Sequence, residues 1–419
     1  MDERPALHVL ALYSLSQFWS MGEGKGASAF TRTLQALTRR GHRVTVSLPA
    51  EAGAPAEIGE FSGCRLVRAV SGRRFLPDPH LAAPMRLWDR WRCWRDYQRW
   101  ATEQGISIGS EDRPDLVLAL GVFEAAAAYR VARQLDTANV TRLFGNNLSL
   151  NLHDPIRFYA NFPEVIAFRT PCDLLILTND GAHGEQLAKR LGVAPARFRY
   201  LRNGLEFERF TPGEPDPALR ARLGIPVDAP LLITVTRLAE EKKLERAVGL
   251  MPALAKRHPE ARLVLLGEGP ERPRLEQLAR DLHVADRVLM PGAIHQDELP
   301  DWYRSADLLL SLLDRTNASN PVFEAMACGR VVVALDTGTT RDVVVDGVTG
   351  LLVRRGEIAR LGEQIASLFD DRSRRIEMQQ AAVRHIRSLL VTPRERLDQE
   401  VDLLEEVVAA RRRANEARR

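Results

Sequence analysis

Short, wholly apolar runs of strand length recur along the chain, and nearly every one is followed by a stretch of helical periodicity. The first is His8-Val-Leu-Ala-Leu12; helical spacing over 27–40 and a second strand, Arg43-Val-Thr-Val-Ser47, complete a βαβ opening. Further strands are expected at 116–120, 141–144 and 174–178, with helices at 122–135 and 184–191. Strands this apolar must be covered on both faces, so the alternation calls for a doubly wound parallel sheet. An Asn203-Gly204 turn and the Pro-rich stretch Phe210-Thr-Pro-Gly-Glu-Pro-Asp-Pro217 then interrupt the pattern, as a connector between domains does. A second series follows, with strands at 231–236, 262–266, 288–290, 308–312, 331–334 and 350–353 and helices between them. Helices at 358–368 and 372–390 precede a last amphipathic one over 394–410, apolar at 397, 401, 404 and 408, which ends in Arg411-Arg-Arg. A length of 419 residues suits two cores better than one. The expected division is 1–205, a linker at 206–228, a second domain at 229–392, and a crossover helix with a basic tail at 393–419.

The net charge is only +4, so charge gives no reason to expect a nucleic-acid partner. The kind of cation says more. Only five of the 59 basic residues are lysines, and two of those five, Lys242 and Lys243, are adjacent. A chain that otherwise relies on arginine has put compact, mobile ammonium groups at one place. The four cysteines (64, 93, 172 and 328) form no metal-ligand or disulfide spacing, which fits a reducing cytoplasm. Met1-Asp-Glu-Arg-Pro carries acids and leads only into a strand-length apolar run, so no signal peptide or membrane span is expected; membrane contact, if any, would be peripheral, at the inner face.

Three stretches carry candidate chemistry. Asn317-Ala-Ser-Asn-Pro-Val-Phe-Glu-Ala-Met-Ala-Cys-Gly329 reads as a polar turn entering a short helix, with Asn320 as its cap, Pro321 in its first turn and Gly329 as its stop. The amides at such an end suit an anion, and Glu324, one turn in, can accept hydrogen bonds from hydroxyls of the same ligand; structural capping is the plain alternative. Arg237-Leu-Ala-Glu-Glu-Lys242 follows the first strand of the second series, on the edge where open α/β sheets bind ligands. Arg237 and Lys242 could hold a diphosphate there and stabilise charge on a departing phosphate; a surface network of Arg237 with Glu240 and Glu241 is the competing reading. Gly22, Gly24 and Gly26, in Met21-Gly-Glu-Gly-Lys-Gly26, let backbone pass close to a charged ligand or simply make a tight turn.

Between the second and third strands of the first series lies an insertion of another character, Met85-Arg-Leu-Trp-Asp-Arg-Trp-Arg-Cys-Trp-Arg-Asp-Tyr-Gln-Arg-Trp100, with four of the six tryptophans. Trp91 and Trp94 lie one turn apart near Leu87, with arginines around them. Two readings stay open: an interfacial helix touching anionic lipid, or a tryptophan face packed on the sheet with solvated arginines. The basic C-terminus offers the same two choices.

The second half resembles the donor domain of the retaining glycosyltransferases of family four, which have the two-domain GT-B fold. The matching stretches, in order, are Thr236-Arg-Leu with Lys242, Leu265-Leu-Gly-Glu-Gly-Pro270, Arg287-Val-Leu-Met-Pro-Gly-Ala-Ile294, Phe323-Glu-Ala-Met-Ala-Cys-Gly329 and Asp346-Gly-Val-Thr-Gly350. The resemblance implies two Rossmann-like domains facing a central cleft and transfer of a hexose, without a metal or other cofactor, from a nucleotide diphosphate sugar to an acceptor hydroxyl. It implies that Arg237 and Lys242 grip the pyrophosphate and Glu324 the ribose, that the backbone at Ile294 meets the base, and that Asn320, Val322 and Phe323 contact phosphate and sugar through their backbone. The Gly22–Gly26 loop would close over the donor. The acceptor, a glycan, a lipid-linked sugar or a small molecule, would fall to the first domain, where Asn146, Asn179 and Asp180 are candidates on position alone. The sequence has no Asp-x-Asp, the acid pair of metal-dependent transferases with the other fold. It also departs from the family: Thr316 stands where a sugar-contacting Glu is usual, with Asn317 or Asn320 as substitutes, and Lys243 stands where a Gly usually follows the phosphate lysine. Thr316 leaves room for a nucleotide-sugar-binding partner protein without turnover, and a GT-B enzyme making a non-glycosidic coupling is a further alternative.

Overall fold

The computed structural model describes residues 5–14, 29–50, 57–69, 71, 75, 77–78, 80–152, 154–178 and 181–418. In chain order the elements are β1 (His8–Leu12), α1 (Ala29–Arg39), β2 (Arg43–Pro49), β3 (Glu57–Phe61), β4 (Cys64–Ala69), α2 (Ala83–Glu111), β5 (Leu116–Leu120), α3 (Ala125–Leu135), β6 (Ala138–Leu143), α4 (Pro155–Ala160), α5 (Phe162–Arg169), β7 (Leu174–Thr178), α6 (Gly184–Arg190) and β8 (Phe198–Leu201). There follow α7 (Pro217–Arg222), β9 (Leu231–Val235), α8 (Glu245–Arg257), β10 (Arg262–Leu266), α9 (Arg272–Asp281), β11 (Val288–Gly292), α10 (Leu299–Ser305), β12 (Leu308–Ser311), α11 (Asn320–Ala327), β13 (Val331–Leu335), β14 (Gly350–Val353), α12 (Leu361–Asp370), α13 (Arg372–Leu389) and α14 (Pro393–Glu416).

The chain forms two compact units. One holds Met1–Asn179, Gly184–Arg202 and Arg394–Arg419, and the other Asp180–His183 and Asn203–Pro393. In the first, strands run in the order β3-β4-β2-β1-β5-β6-β7-β8, all parallel except β3, which pairs antiparallel with β4. Alternate residues of β1 face opposite layers. Val9 and Ala11 pack in the cluster that includes Phe30 and Leu34 of α1 and Val401, Leu404 and Val408 of α14. Leu10 and Leu12 pack with Tyr97 and Trp100 of α2 and Val131 of α3.

The second unit is a fully parallel sheet in the order β11-β10-β9-β12-β13-β14. One face carries Trp302 and Tyr303 of α10, with α11 and α13; the other carries α8, α9 and α12. Each unit is thus the Rossmann-like doubly wound sheet expected from the alternation of apolar runs.

Several elements go beyond the sequence expectation. The β3–β4 hairpin, β8, α4 and α5 have no clear apolar signature: β4, Cys-Arg-Leu-Val-Arg-Ala, mixes arginines with apolar residues near the sheet edge. The tryptophan-rich helix runs on to Glu111 through Gly105 and Gly109, residues that usually weaken a helix. Their missing side chains make room for α3: a Cβ at Gly105 would sit 2.7 Å from Val131, and one at Gly109 2.3 Å from Leu135. The tryptophans divide between the two readings. Trp100 is in the core and Trp94 packs edge-on against Phe162 at 5.7 Å, whereas Trp88 and Trp91 are 61% and 44% exposed. The core reading therefore fails for Trp91.

Candidate functional site

Strand order in the second sheet reverses between β9, whose crossover leads to β10, and β12, whose crossover leads to β13. At such a switch point the two outgoing connections diverge and leave a crevice beyond the carboxyl ends of the strands. A pocket of about 290 Å³ lies there, lined by Thr236, Lys242, Lys243, Ser311, Arg315 and Thr316, together with Ser319 and Pro321 from the start of α11. Among the described residues no acidic side chain is in its wall.

The loop after β9 is shaped by its neighbour. Gly267 and Gly269 adopt φ of +144° and +159°, and a Cβ at these positions would lie 2.0 Å from the Thr236 carbonyl oxygen and 2.3 Å from that of Leu238. Only glycine lets the two backbones run this close. The contact is closed by the Leu238 N–H donating to the Glu268 carbonyl (2.9 Å) and the Glu271 N–H donating to that of Leu238 (3.0 Å). A 3-10 turn, Glu240–Lys242, then delivers Lys242 to the pocket, and the next residue, Lys243, takes a left-handed conformation (φ 52°, ψ 38°). That geometry is why glycine suits this position in the family the sequence resembles.

Lys242 has its pKa lowered, first by burial and then by the nearby cations Arg237 and Arg315, with Glu241 working the other way. Its ammonium is therefore under electrostatic stress that an arriving anion relieves. Arg237 is not part of the pocket wall: its side chain is 76% exposed and ion-paired with Glu241 at 2.9 Å. Lys243 and Arg315 line the pocket in addition to Lys242. The sequence reading gave neither a ligand role, although the adjacency of Arg315 to the 317–329 turn was a usable signal.

Helix α11 begins at Asn320 and its cap position is Ser319, which makes no side-chain capping bond. This corrects the expectation that Asn320 caps the helix and that a row of free amides follows. Pro321 has no N–H, and the Ser319 and Val322 amides donate to the carbonyls of Asn317 (2.9 Å) and Ser319 (3.0 Å), which leaves the Asn320 amide and the helix dipole to meet a ligand. Val322 and Phe323 are buried, so any ligand contact from them runs through the main chain. Asn317 is fully buried and employed. Its Oδ1 accepts from Ser311 Oγ (2.8 Å) and the Leu313 N–H (3.0 Å), while its Nδ2 donates to the Leu335 carbonyl (2.8 Å) and Thr337 Oγ1 (3.0 Å). It pins the loop and has nothing to spare for a sugar. Thr316 lines the pocket and backs onto two glycines: a Cβ on Gly181 would sit 2.3 Å from its Oγ1, and one on Gly338 2.8 Å from its Cβ.

Glu324 is 9% exposed, and Tyr303 Oη donates to its Oε2 at 2.7 Å. Burial pushes its pKa up, and the Tyr303 hydrogen bond and Arg209 pull it back. Arg209 also reaches Asp297 at 3.2 Å, in the turn that follows Ile294, and Ile294 itself packs half-buried on the core that holds Val322. In the first unit, Asn146 is buried and accepts from the Ser149 N–H at 3.1 Å. Gly22, Gly24, Gly26, Asn179 and Asp180 lie outside the described residues.

Residues 215–385 match the family described as Glycosyl transferases group 1. The chain is 34% identical over 203 residues to D-inositol 3-phosphate glycosyltransferase of Xylanimonas cellulosilytica, covering 46% of this chain and 48% of that protein. It is 33% identical over 206 residues to GDP-mannose-dependent alpha-(1-6)-phosphatidylinositol monomannoside mannosyltransferase of Mycobacterium tuberculosis, covering 46% and 52%. The chain thus spans about half the length of the curated relatives it matches. Among solved structures, it superposes on sucrose-phosphate synthase from Thermosynechococcus elongatus with a TM-score of 0.70 at 19% identity, covering 96% of this chain and all of that one. An Anabaena protein crystallised with UDP and glucose gives a TM-score of 0.64 at 18% identity, covering 95% and 99%. The fold is that of the GT-B glycosyltransferases.

Proposed function

We infer, from a chain whose residues 215–385 match the group 1 glycosyl transferases, that this protein moves a hexose from a nucleotide diphosphate sugar to an acceptor hydroxyl, with retention and without a metal ion. The observation that carries this reading is the pocket at the strand-order reversal, where Lys242, Lys243 and Arg315 share one wall with the leading end of α11. When the bond from the anomeric carbon to the leaving oxygen breaks, negative charge grows on the nucleotide diphosphate. Preorganised cations and a helix dipole aimed at that charge stabilise it, an arrangement that can supply several kcal/mol. Glu324, fixed by Tyr303 through one oxygen, has its other oxygen for ribose hydroxyls. The names of the relatives and neighbours make UDP- and GDP-linked hexoses the first donors to try.

A second reading, a nucleotide-sugar-binding protein without turnover, is favoured by Thr316 standing where the family it resembles has Glu and by the fully occupied side chain of Asn317, the expected substitute. A panel of nucleotide diphosphates and their sugars, scored by thermal shift and then by product formation, tests both. One base should raise the unfolding temperature by mass action, and Lys242→Ala should abolish that rise and cut transfer by about 100-fold or more. Stabilisation without hydrolysis or transfer selects the second reading; no response to any member sinks both.

A further inference from the structure

Among the described residues ten large apolar side chains are exposed, and six of them come from two helices of the first unit: Met85, Leu87, Trp88 and Trp91 on α2, and Ile156 and Tyr159 on α4. Chance would scatter them, and single exposed apolar groups need no explanation. Four of these are contiguous. Trp88, Trp91, Leu87 and Pro84 share an apolar depression of about 390 Å³ with Tyr159 and with Phe162 at the start of α5. The edge-on contact of Trp94 with Phe162 joins the two sides beneath it.

The cations are ordered with respect to this patch. Residues 84, 88, 91, 92, 95 and 99 recur at three- and four-residue spacing and so share one face of α2. The Arg92 guanidinium lies 5.5 Å from the Trp88 ring centre and that of Arg95 5.0 Å from the Trp91 ring centre. Over 84–100 there are five arginines (86, 90, 92, 95 and 99) against two acids, Asp89 and Asp96, a balance of +3. Both acids are neutralised on the helix itself, buried Asp89 by Arg92 at 2.8 Å and Asp96 by Arg95 at 3.0 Å, which leaves Arg86, Arg90 and Arg99 as the excess cations. Exposed aliphatic side chains and indoles, with guanidiniums on the indole faces, are the combination that suits the boundary of a bilayer, where acyl chains meet phosphates. The other basic stretch is engaged elsewhere: Arg411 pairs with Asp136 at 2.8 Å and Arg412 with Asp115 at 2.6 Å.

We propose that the face formed by α2 and α4 is a docking surface for an anionic lipid bilayer, with Trp88, Trp91, Ile156 and Tyr159 entering the interface and the arginines of α2 meeting lipid phosphates. Arginine suits that partner because its planar fork binds phosphate oxygens in pairs. The surface belongs to the first unit and is independent of the donor pocket in the second.

The full chain is sedimented with vesicles of phosphatidylcholine alone and of phosphatidylcholine with phosphatidylglycerol, at low and at high salt. Binding should require the anionic lipid and weaken with salt. Trp88→Ala with Trp91→Ala should lose at least about tenfold in partitioning. Arg86→Glu with Arg99→Glu should remove the preference for anionic vesicles, and brominated lipid should quench tryptophan emission of the parent but much less of the double tryptophan variant. Because the four positions are exposed, unfolding temperature and the response to nucleotide diphosphates should stay unchanged, which separates failure of this surface from failure of the donor reading. Partitioning that ignores lipid charge, absence of quenching, full binding by the double tryptophan variant, or self-association through this face without vesicle binding would each overturn the proposal.

Discussion

Tyr303 and Glu324 form a buried phenol–acid pair, and in the proposed function the acid meets the donor's ribose. Burial alone raises the pKa of Glu324, and the phenol that donates to its Oε2 works against that shift while fixing the carboxylate plane. Tyr303→Phe removes the hydrogen bond with little change of volume. Donor KM is expected to rise about tenfold with kcat much less affected, because a hydrogen bond to a charged group is worth roughly 1.5–3 kcal/mol. Steady-state kinetics over donor concentration decides it; an unchanged KM would detach Glu324 from the donor. Glu324 was legible in the sequence from its place one turn into a helix after a polar turn. Its partner was not, since Tyr303 lies on α10 and only the packing of α10 against α11 brings the two together.

At the scale of the element, the loop carrying Lys242 is held by glycine-to-backbone contact rather than by side chains. Gly267→Ala would place a methyl group 2.0 Å from the Thr236 carbonyl oxygen at φ +144°, and neither backbone can yield without moving the pocket wall. A loss of about 2–4 kcal/mol is expected, together with a weaker thermal response to nucleotide diphosphate. Gly356→Ala, which meets nothing within 4 Å, serves as the neutral control. If thermal unfolding and ligand titration fail to separate the two variants, the close approach is not what shapes the site. The sequence showed 267 and 269 only within the family-like stretch Leu265–Pro270, and it could not say that they press on 236–238. Conversely, Gly105 and Gly109 weaken a helix in isolation, and α2 runs through both because α3 takes the space they leave.

On the scale of the whole molecule, the last helix ends the chain where it began, in the first unit. Glu400 of α14 is buried, pairs with Arg142 at 2.8 Å and Arg396 at 2.9 Å, and accepts from Thr33 Oγ1 at 3.0 Å. Burial pushes its pKa up, but the two guanidiniums outweigh burial and hold it below the usual carboxylate value. A depressed acid pKa contributes stability that is complete above the unfolded value of 4.5 and is lost as pH falls through the folded one. Glu400→Gln leaves two arginines without their shared anion, so the first unit should lose about 3–5 kcal/mol at neutral pH. The gap between variant and parent should narrow as pH drops below 4.5. Thermal scans across pH would expose a gap that stays constant and so refute the account. Donor-induced stabilisation of the second unit should persist in the variant.

Local chemistry set out in one dimension was enough to determine the class of fold, two wound parallel sheets, because strands apolar at every position can be buried only between layers of helices. It also pointed to cations gathered after β9, where two adjacent lysines stand on the carboxyl edge of a sheet, and both line the pocket, whereas Arg237 pairs with Glu241 instead. Tertiary structure alone decided which cations share the pocket, that Asn317 is a pin, and that Trp88 and Trp91 stand in solvent while Trp100 is enclosed. Those outcomes depend on what arrives from distant segments, and a periodicity records which side of a helix a residue occupies without recording what will cover it.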